Sequence, residues 1–530
     1  MHRLRGAQFF LALVFLWQTN APASDLDTIG VTLLRTVTTN LNGTGIRVGQ
    51  VEAGYGTATN WEVNPGTSAV GQPTNLFTYY YSISPFSTVS TANTFTNTIG
   101  YESSHADTVA GNFYGVSGGV ATNVAHVDNY EANTFINYYV NHSRLMSDRV
   151  VNQSFTDGAV NTAVDQIYDY YAASNGVLVV SGAGFNATNV WSPATCYNGI
   201  GVGVSDAPNP PPPYGPTPDG RSKPDLVTPG QSSSYTTPYV SGSAALLMQA
   251  GLRGDGGSDT NSAVDNRTVK ALLLNGAVKT AGWTNVVWTN GARLVLDTNF
   301  GAGVLNVFNS YKQLAGGKHG YIVTTTVTPI NNPHPPTGAT GTVGVLSGWD
   351  FNTNTSSLNA DGVNHYYFNV TNAVSNAVFT ATATLVWNRH NNVASINNLN
   401  LFLYNAANSN LVASSTSQVD NVEHIWLPHL AQGRYDLQVF KSGGATVTTS
   451  EPYALAFEFF SMSLNITRSG TNVVLKWPVY PAGFILESTA NFISPVIWGV
   501  NNPAPLVTNG QNNVVLSVLN TNQFFRLRRP

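Results

Sequence analysis

Cysteine is nearly absent from this chain. Cys196 is the only one in 530 residues, so no intrachain disulfide can form. Charge is scarce too. Asp, Glu, Lys and Arg make up 9% of the residues and the formal net charge is −4, which gives no support for nucleic-acid binding. Asn, Thr, Ser and Gly fill the polar positions instead, a composition closer to secreted β-rich proteins than to cytosolic ones. Long apolar runs are missing after the N-terminus, and the one there, Ala7 to Trp17, is about half of the roughly 20 residues that span a bilayer. Stable membrane insertion is therefore not expected. What is present is apolar content of 42%, enough for a sizeable core in a chain long enough for about two to four domains. Without disulfides, stability has to come from burial of that core, with or without bound ions.

Arg3 and Arg5, the short apolar stretch and Ala21-Pro22-Ala23 together read as a secretory signal over residues 1–23, with a small-residue cleavage site. The mature protein is then expected outside the cell or at its surface.

From about residue 40 to 316, buried-strand runs alternate with helical patterns, which predicts an α/β domain with a parallel sheet between helices. Ile46–Val51 and Val150–Phe155 are strand candidates. Ala159–Ala173 carries Val160, Ala163, Val164, Ile167, Tyr168 and Tyr171 at helical spacing, Asn175-Gly176 can end that helix, and Val177–Val180 follows as a strand. Residues 206–224, with Pro210 to Pro213, read as an exposed loop, and a further helix follows Asn266. Beyond about 318 the pattern changes. Tyr321–Val327 alternates like a strand, and short alternating runs such as Tyr366–Val370, Ala383–Trp387, Leu399–Tyr404 and Tyr435–Phe440 predict an antiparallel β-sandwich. Val473–Trp477, Phe484–Glu487 and Phe524–Leu527 suggest a last small β module. The expected division is a signal over 1–23, an α/β domain over 24–317, a sandwich over 318–462 and the module over 463–530.

Four blocks carry chemistry. Val48-Gly49-Gln50-Val51-Glu52-Ala53-Gly54 ends a strand in a carboxylate. His105-Ala106-Asp107-Thr108-Val109-Ala110-Gly111 starts a helix. Gly220-Arg221-Ser222-Lys223-Pro224-Asp225-Leu226-Val227-Thr228-Pro229-Gly230 precedes Ser232-Ser233-Ser234-Tyr235-Thr236-Thr237-Pro238-Tyr239-Val240-Ser241-Gly242. In this order they resemble the subtilisin-like serine proteases, whose blocks read V-A-V-I-D-T-G, H-G-T-x-V-A-G, G-R-x-K-P-D-L-V-A-P-G and G-T-S-x-A-x-P-x-V-A-G. Residues 345–460 are similar to the jelly-roll-like domain that follows the catalytic domain in some secreted bacterial members.

The resemblance implies a triad. His105 would take the proton of the Ser234 hydroxyl and later give it to the leaving amine. Glu52, in place of the family's aspartate, would fix the imidazole tautomer and stabilise its cation. Two departures stand out: Ser-Ser-Ser replaces Gly-Thr-Ser, and Asp107 replaces threonine. Asp107 sits about 200° round the helix from His105 and does not face the same partner.

The oxyanion donor that the family places after A-A-G corresponds here to Asn186, one residue beyond an ungapped match that ends on Phe185 in Val179-Val180-Ser181-Gly182-Ala183-Gly184-Phe185. Asn152-Gln153-Ser154-Phe155 resembles a substrate-binding segment, so Ser154, Phe155 and Gly182 are the residues expected beside an extended peptide. No cofactor is required by this chemistry. Calcium is common in the family, but no Asp-rich loop of ligand spacing is present, and Glu423 and His424 read as solvated strand residues rather than metal ligands. The stretch between residue 24 and the first block is too short for a folding prodomain.

The leading expectation is a secreted serine endopeptidase acting on proteins or peptides. Three other readings stay open. One is an inactive member of the family that binds peptides at the cell surface. Another is an adhesion protein whose β modules carry the function. The third is an acid peptidase related to the sedolisins, against which an intact His105 block argues. Cleavage specificity and oligomeric state are not legible.

Overall fold

The run Arg47–Glu52 (β1) is buried along nearly its whole length, as expected of a strand covered on both faces. It lies inside an eight-stranded sheet of the α/β unit. The further strands of this unit are Asn60–Glu62 (β2), Phe77–Tyr81 (β3), Ser90–Ala92 (β4), Tyr101–Glu102 (β5), His126–Glu131 (β6), Val150–Gln153 (β7), Leu178–Gly182 (β8), Ile200–Val204 (β9) and Leu226–Thr228 (β10). The sheet order is β10-β9-β8-β7-β1-β6-β3-β4, parallel throughout except for the β3–β4 edge pair, while β2 and β5 form a separate parallel pair. The computed structural model describes residues 24–184, 189–206, 217–285, 294–323, 339–355, 362–374, 377–442, 447–500, 503–508, 510–517 and 522–528. The expected signal segment 1–23, Asn186 and the prolines 210–213 lie outside them.

Two features place a site at one end of β1. β6 and β7 follow one another along the chain but flank β1 on opposite sides in the sheet. The winding direction therefore changes at β1, and a crevice opens at the carboxyl ends of the strands there. Across it runs the helix Ser233–Leu252, packed on β7, β8 and β9 and on the helix Ser104–Phe113. It is apolar all round because it is buried all round, from Thr236 to Met248 without a break. Gly242 lets it approach its neighbour, since a Cβ there would stand 2.5 Å from Val120 Cβ.

The expected helix over 159–173 is observed over Thr162–Asn175. Asn161 caps its start and Gly176, at φ 66°, ends it. The buried stripe differs from the expected one: Asp165, Tyr168, Asp169, Tyr171 and Ala172 face inward, whereas Ala163 is exposed. Two carboxylates tolerate that position because Thr195 donates to Asp165 (2.8 Å) and Arg389 pairs with Asp169 (2.9 Å). The helix after Asn266 is observed over Asn266–Gly276. Burial pushes the Cys196 thiol up to about 12. Iodoacetamide at about pH 8 should accordingly leave folded protein unlabelled and label it once urea unfolds it; labelling of the native state would contradict the burial.

Beyond the α/β unit, two antiparallel four-stranded sheets stack as a sandwich. One is built from Ser347–Thr355, Ser450–Phe460, Phe379–Trp387 and Val422–Leu430, the other from Val363–Val370, Gly433–Lys441, Leu399–Asn405 and Leu411–Ser415. Leu385, Trp387, Leu401, Tyr366, Phe368 and Phe457 fill the space between them. A third four-stranded sheet and the pair Ile485–Thr489 with Phe524–Arg528 complete the chain. Of the expected strand Tyr321–Val327, Ile322 bridges to His365, and residues 324–327 lie outside the described part.

The sandwich does not hang free. Trp349, Val386, Val422, Ala454 and Ala456 belong to the same apolar cluster as the α/β core. Glu423 and His424 are therefore not solvated, contrary to the sequence reading. Glu423 is held within the sandwich, receiving Ser417 N (2.6 Å), while on the same strand His424 Nε2 meets Lys279 Nζ of the α/β unit at 2.9 Å. The same interface corrects the exposed-loop reading of 206–224: Arg221, Ser222 and Lys223 are buried, and Ser222 N donates to Asp420 at 2.7 Å.

Candidate active site

Glu52 ends β1 with its side chain 1% exposed, and one of its oxygens, Oε2, lies 2.8 Å from Nδ1 of His105. The other, Oε1, accepts from Gln50 Nε2 at 2.7 Å, and that amide also donates to Ala106 O at 2.9 Å. Gln50 in turn accepts from the Tyr114 hydroxyl. Alternation along a strand puts Gln50 and Glu52 on one face. An amide within an otherwise apolar buried run was the signal for this supporting residue, which the sequence reading missed. His105 sits in the first turn of the helix Ser104–Phe113, whose N-cap Ser103 accepts from Ala106 N. Burial pulls the His105 pKa down, but the hydrogen bond and charge of Glu52 outweigh it, and the net direction is upward. Asp107 faces away, accepting from Asn64 N at 2.7 Å. Burial first, and Glu102 after it, push its carboxyl up to about 7.

Two rings that the sequence reading did not single out lie against the imidazole. Tyr55 stacks on it at a centroid distance of 5.4 Å, and Tyr235 is tilted against it at 5.7 Å. Tyr235 directly follows Ser234, so His105 and the start of the long helix are neighbours. Three serines open that helix and differ in placement. Ser232 is the N-cap and makes no side-chain cap bond. Ser233 is buried, donating to Gly184 O (2.7 Å) and accepting from Gly184 N (3.2 Å). Ser234 is half-buried and its hydroxyl donates to Ser154 O at 3.1 Å. Among the described residues no hydrogen bond joins Ser234 Oγ to His105.

Ser154 is placed one residue beyond β7. Its hydroxyl donates to Ser234 O (2.8 Å) and receives Asn152 Nδ2 (3.1 Å), which ties the strand end to the first turn of the helix. Phe155 packs, half-buried, against the cluster on the far side of the sheet. Gly182 closes β8 where a Cβ would stand 3.1 Å from Thr237 Oγ1 and 3.2 Å from Ser233 Oγ, a tight fit that a larger residue would relieve only by displacing those hydroxyls. Asn186 is outside the described residues. The block Gly220–Gly230 is scaffold: Asp225 pairs with Lys223 (2.6 Å) and Lys270 (3.1 Å) and accepts from Gly201 N. Burial alone would raise its pKa, and the two lysines bring it below the ordinary carboxylate value. Among the described residues no group of three His, Cys, Asp or Glu side chains is arranged to hold a metal ion.

Residues 86–303 match the model of the subtilase family, Peptidase_S8. That segment is therefore similar to the subtilases. The matched segment includes His105 and Ser234 and begins after Glu52. Solved structures similar to the chain include the prenylagaramide maturation protease PagA, at 19% identity and a TM-score of 0.35, over 55% of this chain and 99% of that one. The PatG macrocyclase in complex with peptide is another, at 15% identity and a TM-score of 0.39, over 55% and 98%. Tripeptidyl peptidase 2 is a third, at 12% and 0.30, over 83% and 52%. No curated protein matches the chain. Glu52, His105 and Ser234 come from three elements that meet at the carboxyl end of β1: the strand itself and the first turns of two helices.

Proposed function

We propose that the protein is a secreted serine endopeptidase that hydrolyses peptide bonds through Ser234, His105 and Glu52. The observation that carries this reading is the buried Glu52–His105 hydrogen bond, 2.8 Å long and braced by Gln50, beside the first turn of the Ser234 helix. In the mechanism, Ser234 Oγ turns from Ser154 O towards His105 Nε2, gives up its proton there and bonds to the substrate carbonyl carbon. His105, protonated, passes that proton to the leaving amine as the C–N bond breaks. Water then repeats the sequence on the acyl-enzyme and releases the acid. Backbone N–H groups at the helix start are candidates to stabilise the oxyanion, together with Asn186. The peptide would lie extended along the ends of β7 and β8, near Ser154, Phe155 and Gly182.

A second reading, a non-catalytic peptide binder, is favoured by the engagement of the Ser234 hydroxyl with Ser154 O. The pH dependence of hydrolysis tests the two. Because His105 must be neutral to accept a proton, kcat/KM rises with pH through the His105 pKa, which Glu52 holds above the ordinary histidine value. In Glu52→Gln, burial acts without that opposition. The acid limb then moves to lower pH and the plateau falls by about 10²-fold or more. An enzyme whose limb stays in place in Glu52→Gln does not use this pair, and a folded protein without hydrolysis at any pH supports the binder.

A further inference from the structure

A cavity of about 420 Å³ lies between the sandwich and the C-terminal module, remote in the fold from the end of β1. That volume is in the range that holds a small ligand or the end of a peptide. Trp426, Phe460 and Phe484 form its apolar wall, with ring centroids 6.4 Å apart for the first pair and 6.2 Å for the second. Arg526, Arg528, His429 and Thr380 supply its polar groups. Both guanidiniums pair with one carboxylate, Glu487, at 2.7 and 2.6 Å. One acid between two arginines leaves a positive charge in excess, and each planar guanidinium carries five N–H donors, more than Glu487 engages.

The chemistry of this lining selects its occupant. Among the described residues the lining has no carboxylate and no side-chain amide, so a ligand rich in hydroxyl groups would find few acceptors there. A carboxylate attached to an apolar body finds guanidinium donors on one side and rings on the other. The backbone adds a direction. Among the described residues the strand Val422–Leu430 is paired only with Phe379–Trp387 in its sheet, and Phe524–Arg528 only with Ile485–Thr489, so two one-sided strands border the cavity. The first is bulged there: Phe379 faces Leu430 and Ala381 faces Leu427, which leaves Pro428 and His429 opposite Thr380. All three line the cavity, and His429 adopts a left-handed backbone with φ 66°, a conformation costly for a residue with a side chain.

We propose that this cavity binds the C-terminal end of an extended peptide, its free α-carboxylate on Arg526 and Arg528 and its last, apolar side chain against Trp426, Phe460 and Phe484. The site does not depend on chemistry at Ser234, and labelling of Ser234 by a fluorophosphonate reads that other site separately. The test uses full-length Ser234→Ala protein, so that nothing is cleaved, and fluorescence anisotropy. The probe is a fluorescein-labelled peptide of alanine and serine ending in leucine, as the free acid and as the C-terminal amide. The acid should bind about tenfold or more tightly than the amide. Arg528→Gln, a change at a side chain 37% exposed and so tolerable to the fold, should remove that preference. Glu487→Gln, which frees both guanidiniums, should tighten binding of the acid. Equal binding of acid and amide, no binding of either, or a preference that survives in both Arg526→Gln and Arg528→Gln would overturn the proposal.

Discussion

Replacing Ser234 with alanine lowers kcat for peptide hydrolysis by about 10⁴- to 10⁶-fold while the fold persists. The size follows from the loss of the nucleophile: what remains is binding and whatever donors face the oxyanion, which act without a covalent step. The neighbouring serines are the internal controls. Ser233 is buried, and both of its hydrogen bonds go to Gly184, so Ser233→Ala should cost on the order of 1 kcal/mol in stability and far less in rate. Ser232, the N-cap without a side-chain cap bond, should cost less again. A Ser233→Ala enzyme as inactive as Ser234→Ala would mean that the helix starts one residue earlier in the working enzyme. Measured kcat for the three single variants, with circular dichroism of each, settles the order.

Arg389→Ala destabilises the protein by about 3–5 kcal/mol, because it strips a buried carboxylate of its cation. Arg389 reaches from the sandwich to Asp169 at 2.9 Å, exchanges backbone hydrogen bonds with the Asn198 side chain at 2.8 and 2.9 Å, and covers one side of the Tyr197 ring. Asp169 is fully buried. Burial already pushes its carboxyl up to about 6, and the Arg389 charge works against that rise. A folded-state pKa above the unfolded value means that the native state binds more protons between the two, so stability falls as pH rises through that window. Without Arg389 the folded pKa climbs further and the window widens upward. The variant should lose more stability near pH 8 than near pH 5, and Arg389→Ala combined with Asp169→Asn should recover part of the loss and flatten the pH dependence. Urea unfolding at the two pH values reads both. An equal loss at both would show that Asp169 is not the group left unpaired.

The elements legible in the sequence were those whose signal is local. Val48 and Val51 within a buried run, Asn161 and Gly176 at the ends of a helix, and alternation in Ala383–Trp387 each announce a backbone conformation without help from distant residues. The order of the four blocks singled out Glu52, His105 and Ser234, and the structure brings Glu52 to His105 at 2.8 Å. The readings that failed were those in which a charge is buried by a partner far along the chain. The helical stripe read from Val160 to Tyr171 left out Asp169, which is buried because Arg389, 220 positions later, is brought to it. His424 looks solvated until Lys279 of the α/β unit, 145 positions earlier, is brought to it. The stacking of Tyr55 on His105 was similarly out of reach, since nothing in the spacing of 53 residues or so between the blocks says how the segment after Glu52 folds back. Gln50 was within reach, as a polar residue two positions from the acid on the same strand face.

The claim at the centre of the account is that His105, oriented by Glu52, activates Ser234. Fluorophosphonate labelling of the mature protein, followed by mass mapping of the modified peptide, tests it most directly. The account predicts a single adduct on Ser234, lost in His105→Ala and strongly slowed in Glu52→Gln. Well-folded protein that takes up no label, or takes it up equally without His105, would contradict it.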